Sequence, residues 1–170
     1  MVILVMGLPG SGKSIFASKL AEFLHADYIN SDRLRMNQLS NRTYSEEEKE
    51  RIYDDMLIRM EDSVNRYRHV VLDATFNLNR IREKFIKKAS KTEALAIIEI
   101  NAAEAVIKKR ISHKREFSEA NFDIYQKIKR AWEPIPQRHL TLESTNHNLH
   151  FMLQKAIGYL YLIKNEKGRN

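Results

Sequence analysis

Residues 2–14 read VILVMGLPGSGKS, an apolar run followed at once by a glycine-rich turn and a lysine–serine pair. The chain holds five glycines, and three of them (Gly7, Gly10 and Gly12) fall in this stretch. Val2 to Met6 has the composition of a strand buried on both faces, and Ile15, Phe16, Leu20 and Leu24 after it have helical spacing. Between them the pattern G-x-x-x-x-G-K-[ST] is complete in Gly7, Gly12, Lys13 and Ser14. A loop that wraps backbone N–H groups around a phosphate needs conformations that a Cβ obstructs, which accounts for the glycines. Gly7, Pro9, Gly10, Ser11, Gly12, Lys13, Ser14 and Ile15 are therefore the candidate phosphate-binding residues. Lys13 is placed to reach the β and γ phosphates of a nucleotide and the Ser14 hydroxyl to meet Mg²⁺, at the positive end of the helix that begins here. A chance glycine turn is the competing reading; the strand before and helix after weigh against it.

Working outward, short β-rich runs alternate with longer helical stretches. The pattern predicts strands at 2–6, 27–30, 69–72, 94–100 and 139–142, and helices over 13–24, from Ser45, and over 79–90, 103–112, 118–132 and 149–163. Ser45 and Glu48 have capping-box spacing ahead of Ile52, Met56 and Met60. Strands alternating with helices imply parallel pairing, crossover helices and a sheet covered on both faces, with ligands at the carboxyl ends of the strands. The fold class is thus α/β: three layers around a parallel five-stranded sheet. The 170 residues suit one domain.

Composition narrows the function classes. Formal net charge is +7, from 29 Lys and Arg against 22 Asp and Glu, which favours phosphorylated or polyanionic partners. Cysteine is absent, so disulfides and thiolate metal sites are excluded. No apolar run reaches the length of a membrane span, and the opening run lacks the flanks of a signal peptide, so no membrane partner and a cytoplasmic location are expected. His147 and His150 have H-x-x-H spacing without further ligand types and read as solvated. The guanine-reading motif N-K-x-D is missing, which favours ATP as the nucleotide.

A phosphate loop needs an acidic group to organise its metal, commonly at the end of a neighbouring strand. Asp73, after His69-Val-Val-Leu72, fits, acting through water beside a direct Ser14 ligand; a helix cap is the alternative. In YINSDRLR, Asp32 lies just past the second strand, on the same sheet edge as Gly7. A carboxylate there can take the proton of an acceptor hydroxyl. Arg35, one helical turn on, could hold an anionic group of the acceptor. Against this stands a plainer reading, in which Ser31 or Asp32 caps a helix and the arginines are solvated.

GLPGSGKS, SDRLR, VVLDATFNLNRIR and SEANFDIYQKIKRAWEP together resemble the P-loop kinases related to the polynucleotide 5′-hydroxyl kinase, and more closely the small AAA_33-type kinases. The resemblance spans about residues 1 to 136. It implies a P-loop NTPase fold with a helical lid, here about 108–120, and an ATP- and Mg²⁺-dependent transfer of the γ-phosphoryl group to a hydroxyl. The acceptor would be a nucleic-acid 5′-end or a phosphorylated or nucleoside-like small molecule. It implies Lys13 and Ser14 on the ATP phosphates and Mg²⁺, Asp32 as general base, and Arg35 on the acceptor's phosphate. It also implies Asp73 to Thr75 on the acceptor and metal side with Arg82 downstream (Arg80 being the other choice), and lid arginines at Arg110 and either Lys114 or Arg115. Lys108, Lys109, Arg110, Lys114 and Arg115 put five cations in eight residues, which suits a basic lid or a solvated helix end. Tyr125 and Trp132 read as core. A small-metabolite kinase with the same mechanism and a non-enzymatic ATP-binding switch are the alternatives.

Overall fold

The computed structural model describes residues 1–39, 45–89, 94–112 and 121–167. Five strands, β1 (Val2–Met6), β2 (Asp27–Asn30), β3 (Val70–Asp73), β4 (Leu95–Asn101) and β5 (Leu140–Glu143), form one sheet in the order β2-β3-β1-β4-β5. Every pairing is parallel. The helices are α1 (Lys13–Leu24), α2 (Ser31–Gln38), α3 (Glu46–Asn65), α4 (Asn79–Ala89), α5 (Glu104–Ile111), α6 (Phe122–Arg130) and α7 (Leu149–Lys167).

β1 lies at the centre and is wholly buried, because its alternate side chains serve two cores. Val2, Leu4 and Met6 join Ile52, Met56 and Met60 of α3 and Phe85 of α4 on one face. Ile3 and Val5 join Phe16 and Leu20 of α1 and Met152, Ala156 and Leu160 of α7 on the other. The three-layer α/β architecture expected from the alternation is therefore present. Tyr53, Phe76 and Phe85 pack as an aromatic trio with ring centroids 5.2 to 6.3 Å apart. Tyr125 is buried and Trp132 half-buried against the first core, as their core reading required. No helix among the described residues is long and apolar enough to cross a membrane.

Register fixes the functional edge. Val5 lies opposite Asp73, and Asp73 lies opposite Asn30, so the ends of β1, β3 and β2 stand side by side. Ser144, just past β5, donates its backbone N–H to the carbonyl of Asn101 at the end of β4. All five carboxyl ends thus meet on one edge.

Boundaries differ from the sequence reading by small steps. β3 starts at Val70, whose N–H donates to the Met1 carbonyl, and His69 just before it is exposed with its ring 3.1 Å from the Met1 amine. α7 continues to Lys167, past the expected end at 163, because 164–167 contain no helix-stopping residue. The helix expected from 118 is seen from Phe122, capped by Asn121, whose side chain accepts from the Ile124 N–H; residues 118–120 lie outside the described residues. α2 follows β2 without a linker. Its cap is Asn30, whose Oδ1 accepts from the Arg33 N–H at 2.8 Å, so neither Ser31 nor Asp32 is needed as a cap.

Candidate functional site

The glycine-rich turn folds as its composition requires. At Gly7 the backbone has φ +153°, and a Cβ there would meet the Ile100 carbonyl oxygen at 2.3 Å. At Gly12 φ is +95°, and a Cβ would lie 2.7 Å from Ser144 Oγ and 3.1 Å from an Arg110 terminal nitrogen. Gly12 is the N-cap of α1 and supplies no side-chain acceptor, and the first turn carries no acid. The leading N–H groups of that helix are therefore left for a ligand. Ser11 Oγ is buried without a hydrogen-bond partner, and Lys13 is buried at the head of the helix.

A cavity of about 730 Å³ opens at this edge. Gly10, Gly12, Lys13, Ser14 and Ile15 contribute to its wall, with Tyr28, Asn30, Asp32 and Arg33 from the end of β2 and the start of α2. Arg110 of α5, Ser144 and Asn146 after β5, and Leu149 and Met152 of α7 complete it. Asp32 and the glycine-rich turn thus share one cavity.

Asp73 is fully buried. Its Oδ2 accepts from the Tyr28 hydroxyl at 2.7 Å and from the Asn30 side-chain amide, while Oδ1 has no partner. The Tyr28 hydroxyl also lies 3.5 Å from the Ser14 carbonyl oxygen, which places Asp73 one side chain away from the phosphate loop. Burial, and the Asp73 carboxylate beside it, hold the Tyr28 phenol far above its ordinary pKa, so it remains a donor. Asp73 does not itself line the cavity; its orphaned buried oxygen, one tyrosine away from Ser14, has the chemistry to serve a divalent cation through water. Among the described residues no cluster of three or more His, Asp or Glu could hold a metal without such help. The exposed His147 and His150 form no such group.

Asp32 is half-buried, and its Oδ1 lies 3.2 Å from a terminal nitrogen of Arg35. Arg35 is buried and does not contribute to the cavity wall; its Nε donates to Glu48 Oε1 at 2.8 Å. The guanidinium expected on an acceptor's anion instead bridges two carboxylates and holds Asp32. Glu48 is also the residue whose N–H donates to Ser45 Oγ at 3.2 Å, the expected half of the capping box.

One arginine requires correction. Arg82, expected on the acceptor, is completely buried, and its terminal nitrogens donate to the backbone carbonyls of Phe76, Asn77, Glu133 and Pro134. Burial lowers its pKa. The other choice, Arg80, is exposed and paired with Glu46 and Glu50. Arg110, the first of the expected lid arginines, lines the cavity and bonds the loop. It donates to the carbonyls of Gly10 and Ser11 at 3.3 and 3.0 Å, to Ser144 Oγ at 3.2 Å and to Asn146 Oδ1. Partial burial lowers its pKa. Thr75 is half-buried, two residues past Asp73 and not part of the cavity wall. Lys114 and Arg115, and most of the expected lid, lie outside the described residues; 108–112 are the end of α5 and its cap.

Sequence reasoning missed Tyr28, Glu48, Ser144 and Asn146. Ser144 and Asn146 carried a usable signal, a polar run directly after the last strand and hence on the ligand-binding edge. The Glu48–Arg35 pair spans 13 residues between separate helices and had none.

The family described as AAA_33, AAA domain, matches residues 2–135. No curated protein matches the chain. Among solved structures it is similar to a gluconokinase from Sinorhizobium meliloti 1021, at 20% identity and a TM-score of 0.75 over 99% of this chain and 97% of that one. It is similar to the APS kinase CysC of Mycobacterium tuberculosis in complex with AMPPNP and APS, at 16% identity and 0.70 over 94% and 96%. It is also similar to Kti12 of Chaetomium thermophilum in complex with ADP-AlF3, at 17% identity and 0.65 over 93% and 98%.

Proposed function

The chain belongs to the AAA_33 family and has a P-loop kinase-like fold, and from that premise we propose that it is an ATP-dependent phosphotransferase acting on an alcohol. The observation that carries the reading is the shared cavity, in which Lys13 and Ser14 stand with the carboxylate of Asp32. The unfilled N–H groups of α1 and the ammonium of Lys13 would grip the nucleotide's phosphates. Ser14 Oγ and the unpartnered Oδ1 of Asp73 would hold Mg²⁺, the latter through water. When bound, the metal supplies neutralisation of charge on the phosphate oxygens.

Asp32 accepts the proton of the acceptor hydroxyl as that oxygen bonds to the γ phosphorus and the bond from phosphorus to the β–γ bridging oxygen breaks, releasing ADP. Arg35, anchored by Glu48, holds the Asp32 carboxylate in place. Leu149 and Met152 offer apolar surface to the nucleobase, and Asn146 offers its edge an amide.

For the acceptor, the resemblance by motif points to a polynucleotide 5′-hydroxyl. Similarity over nearly the whole length to a gluconokinase and an APS kinase supports a small hydroxylated metabolite instead. The internal pairing of Arg35 removes the main argument for an acceptor that carries a phosphate, so the small-metabolite reading is preferred.

Replacing Asp32 by Asn tests the mechanism. Transfer from labelled ATP should fall by about 10²–10⁴, the usual contribution of a positioned base, with ATP affinity close to wild type. Unchanged turnover would mean that Asp32 is not the base. Parallel assays with 5′-hydroxyl DNA and RNA oligonucleotides and with a panel of polyols and sugar acids identify the acceptor class.

A further inference from the structure

Arg82 is among the largest fully buried side chains of the protein, and among the described residues no carboxylate lies within ion-pair distance of it. A charge in that position is costly, and an apolar residue of similar volume would fill the space at less cost. What an apolar residue cannot do is donate to two loops at once. One terminal nitrogen of Arg82 bonds the Phe76 carbonyl at 3.0 Å and the Asn77 carbonyl at 3.3 Å. The other bonds the carbonyls of Glu133 at 3.1 Å and Pro134 at 2.6 Å. The two loops are further joined by the Glu133 N–H on the Asn77 carbonyl and by the Glu133 carboxylate on the Asn79 N–H.

The first of these loops begins directly after Asp73. Its turn is made by Phe76, which has φ +50°, a left-handed conformation that a bulky residue keeps only when its surroundings enforce it. Arg82 holds that residue from its carbonyl, and the Tyr53 hydroxyl accepts from its N–H at 3.3 Å. Residues 73–76 are thus fixed at both ends, by pairing of Asp73 in the sheet and by the clamp on Phe76.

We propose that Arg82 is a positioning residue for the metal side of the site, acting through the Phe76 carbonyl to keep Asp73 in register beside Tyr28 and Asn30. It does not touch the acceptor. The inference rests on the assignment of Asp73 to the metal made above.

The test is fluorescent mant-ATP binding to the full chain, measured in EDTA and in Mg²⁺, well below the melting temperature. Arg82→Gln should bind as wild type in EDTA and lose about tenfold of the Mg²⁺-dependent gain in affinity, the scale of a displaced supporting contact. Tyr53→Phe, which keeps the ring and removes only the other hold on Phe76, should shift the gain in the same direction by less. It decides the matter if Arg82→Gln fails to fold. Asp73→Asn separates the two levels of the argument. If it retains the full gain, the metal assignment falls and this inference with it. If it abolishes the gain while folded Arg82→Gln and Tyr53→Phe both keep the wild-type value, only this inference is overturned.

Discussion

Glu48→Ala probes the support beneath the proposed base. Arg35 and Glu48 have side chains only 9% and 8% exposed and meet at 2.8 Å, so solvent screens their interaction little. Removing one partner of a buried pair typically costs about 3–5 kcal/mol, because the other charge is left behind. Asp32, at 3.2 Å and one-third exposed, still offers Arg35 partial compensation, which puts the expected loss at the lower end, about 3 kcal/mol. For a chain of this size each kcal/mol is worth roughly 2–4 °C, so thermal denaturation followed by circular dichroism should show a fall of about 6–12 °C. The same change leaves the guanidinium with Asp32 as its remaining carboxylate of the two, which should draw that side chain out of the cavity. Phosphoryl transfer should drop about tenfold, the size of a misplaced catalytic group, with ATP affinity unchanged. In an Asp32→Asn background the further loss of transfer should vanish. A melting point within a degree or two of wild type, with unaltered turnover, would refute the view that Glu48 carries Arg35.

Two other perturbations read the frame. Gly12→Ala forces a Cβ to within 2.7 Å of Ser144 Oγ in a left-handed backbone; the protein should remain folded and bind mant-ATP at least tenfold more weakly (about 1.4 kcal/mol or more), by fluorescence titration. Burial pushes the Tyr53 hydroxyl from its ordinary 10 up to about 12. The native state keeps this proton when the unfolded chain has released it, so the contribution is complete below pH 10 and fades as pH rises through 12. Urea denaturation should show wild type losing about 1.4 kcal/mol more than Tyr53→Phe between pH 9 and pH 11, and parallel pH profiles would contradict the burial argument.

The fold was legible because its signals are local. The apolar run at Val2–Met6, the glycines after it and the capping Ser45 each act over a few residues, and each lies where expected. The positions of Asp32 and Asp73 were legible for a related reason: Asp73 ends β3, Asp32 stands two residues past the end of β2, and parallel strands bring their ends together. The arginines were not, since a guanidinium is defined by the partner it reaches across the fold. Arg82 did leave a trace, standing with Ile81, Phe85 and Ala89 on the buried face of α4, where a charge is out of place. For Arg35 the spacing to Asp32 was visible, but its second partner, Glu48, stands on another helix and left no trace. Residues 113–120, with the remaining candidate cations, lie outside the described residues.

Asn30 joins the two halves of the proposed chemistry with a single side chain. Its oxygen caps the helix that carries Asp32, and its nitrogen donates to the carboxylate of Asp73. In the proposed mechanism the spacing between the metal side and the base is therefore set by one amide group, as a spacer sets the gap of a gauge. The two carboxylates of that mechanism are tied through one side chain rather than mounted independently.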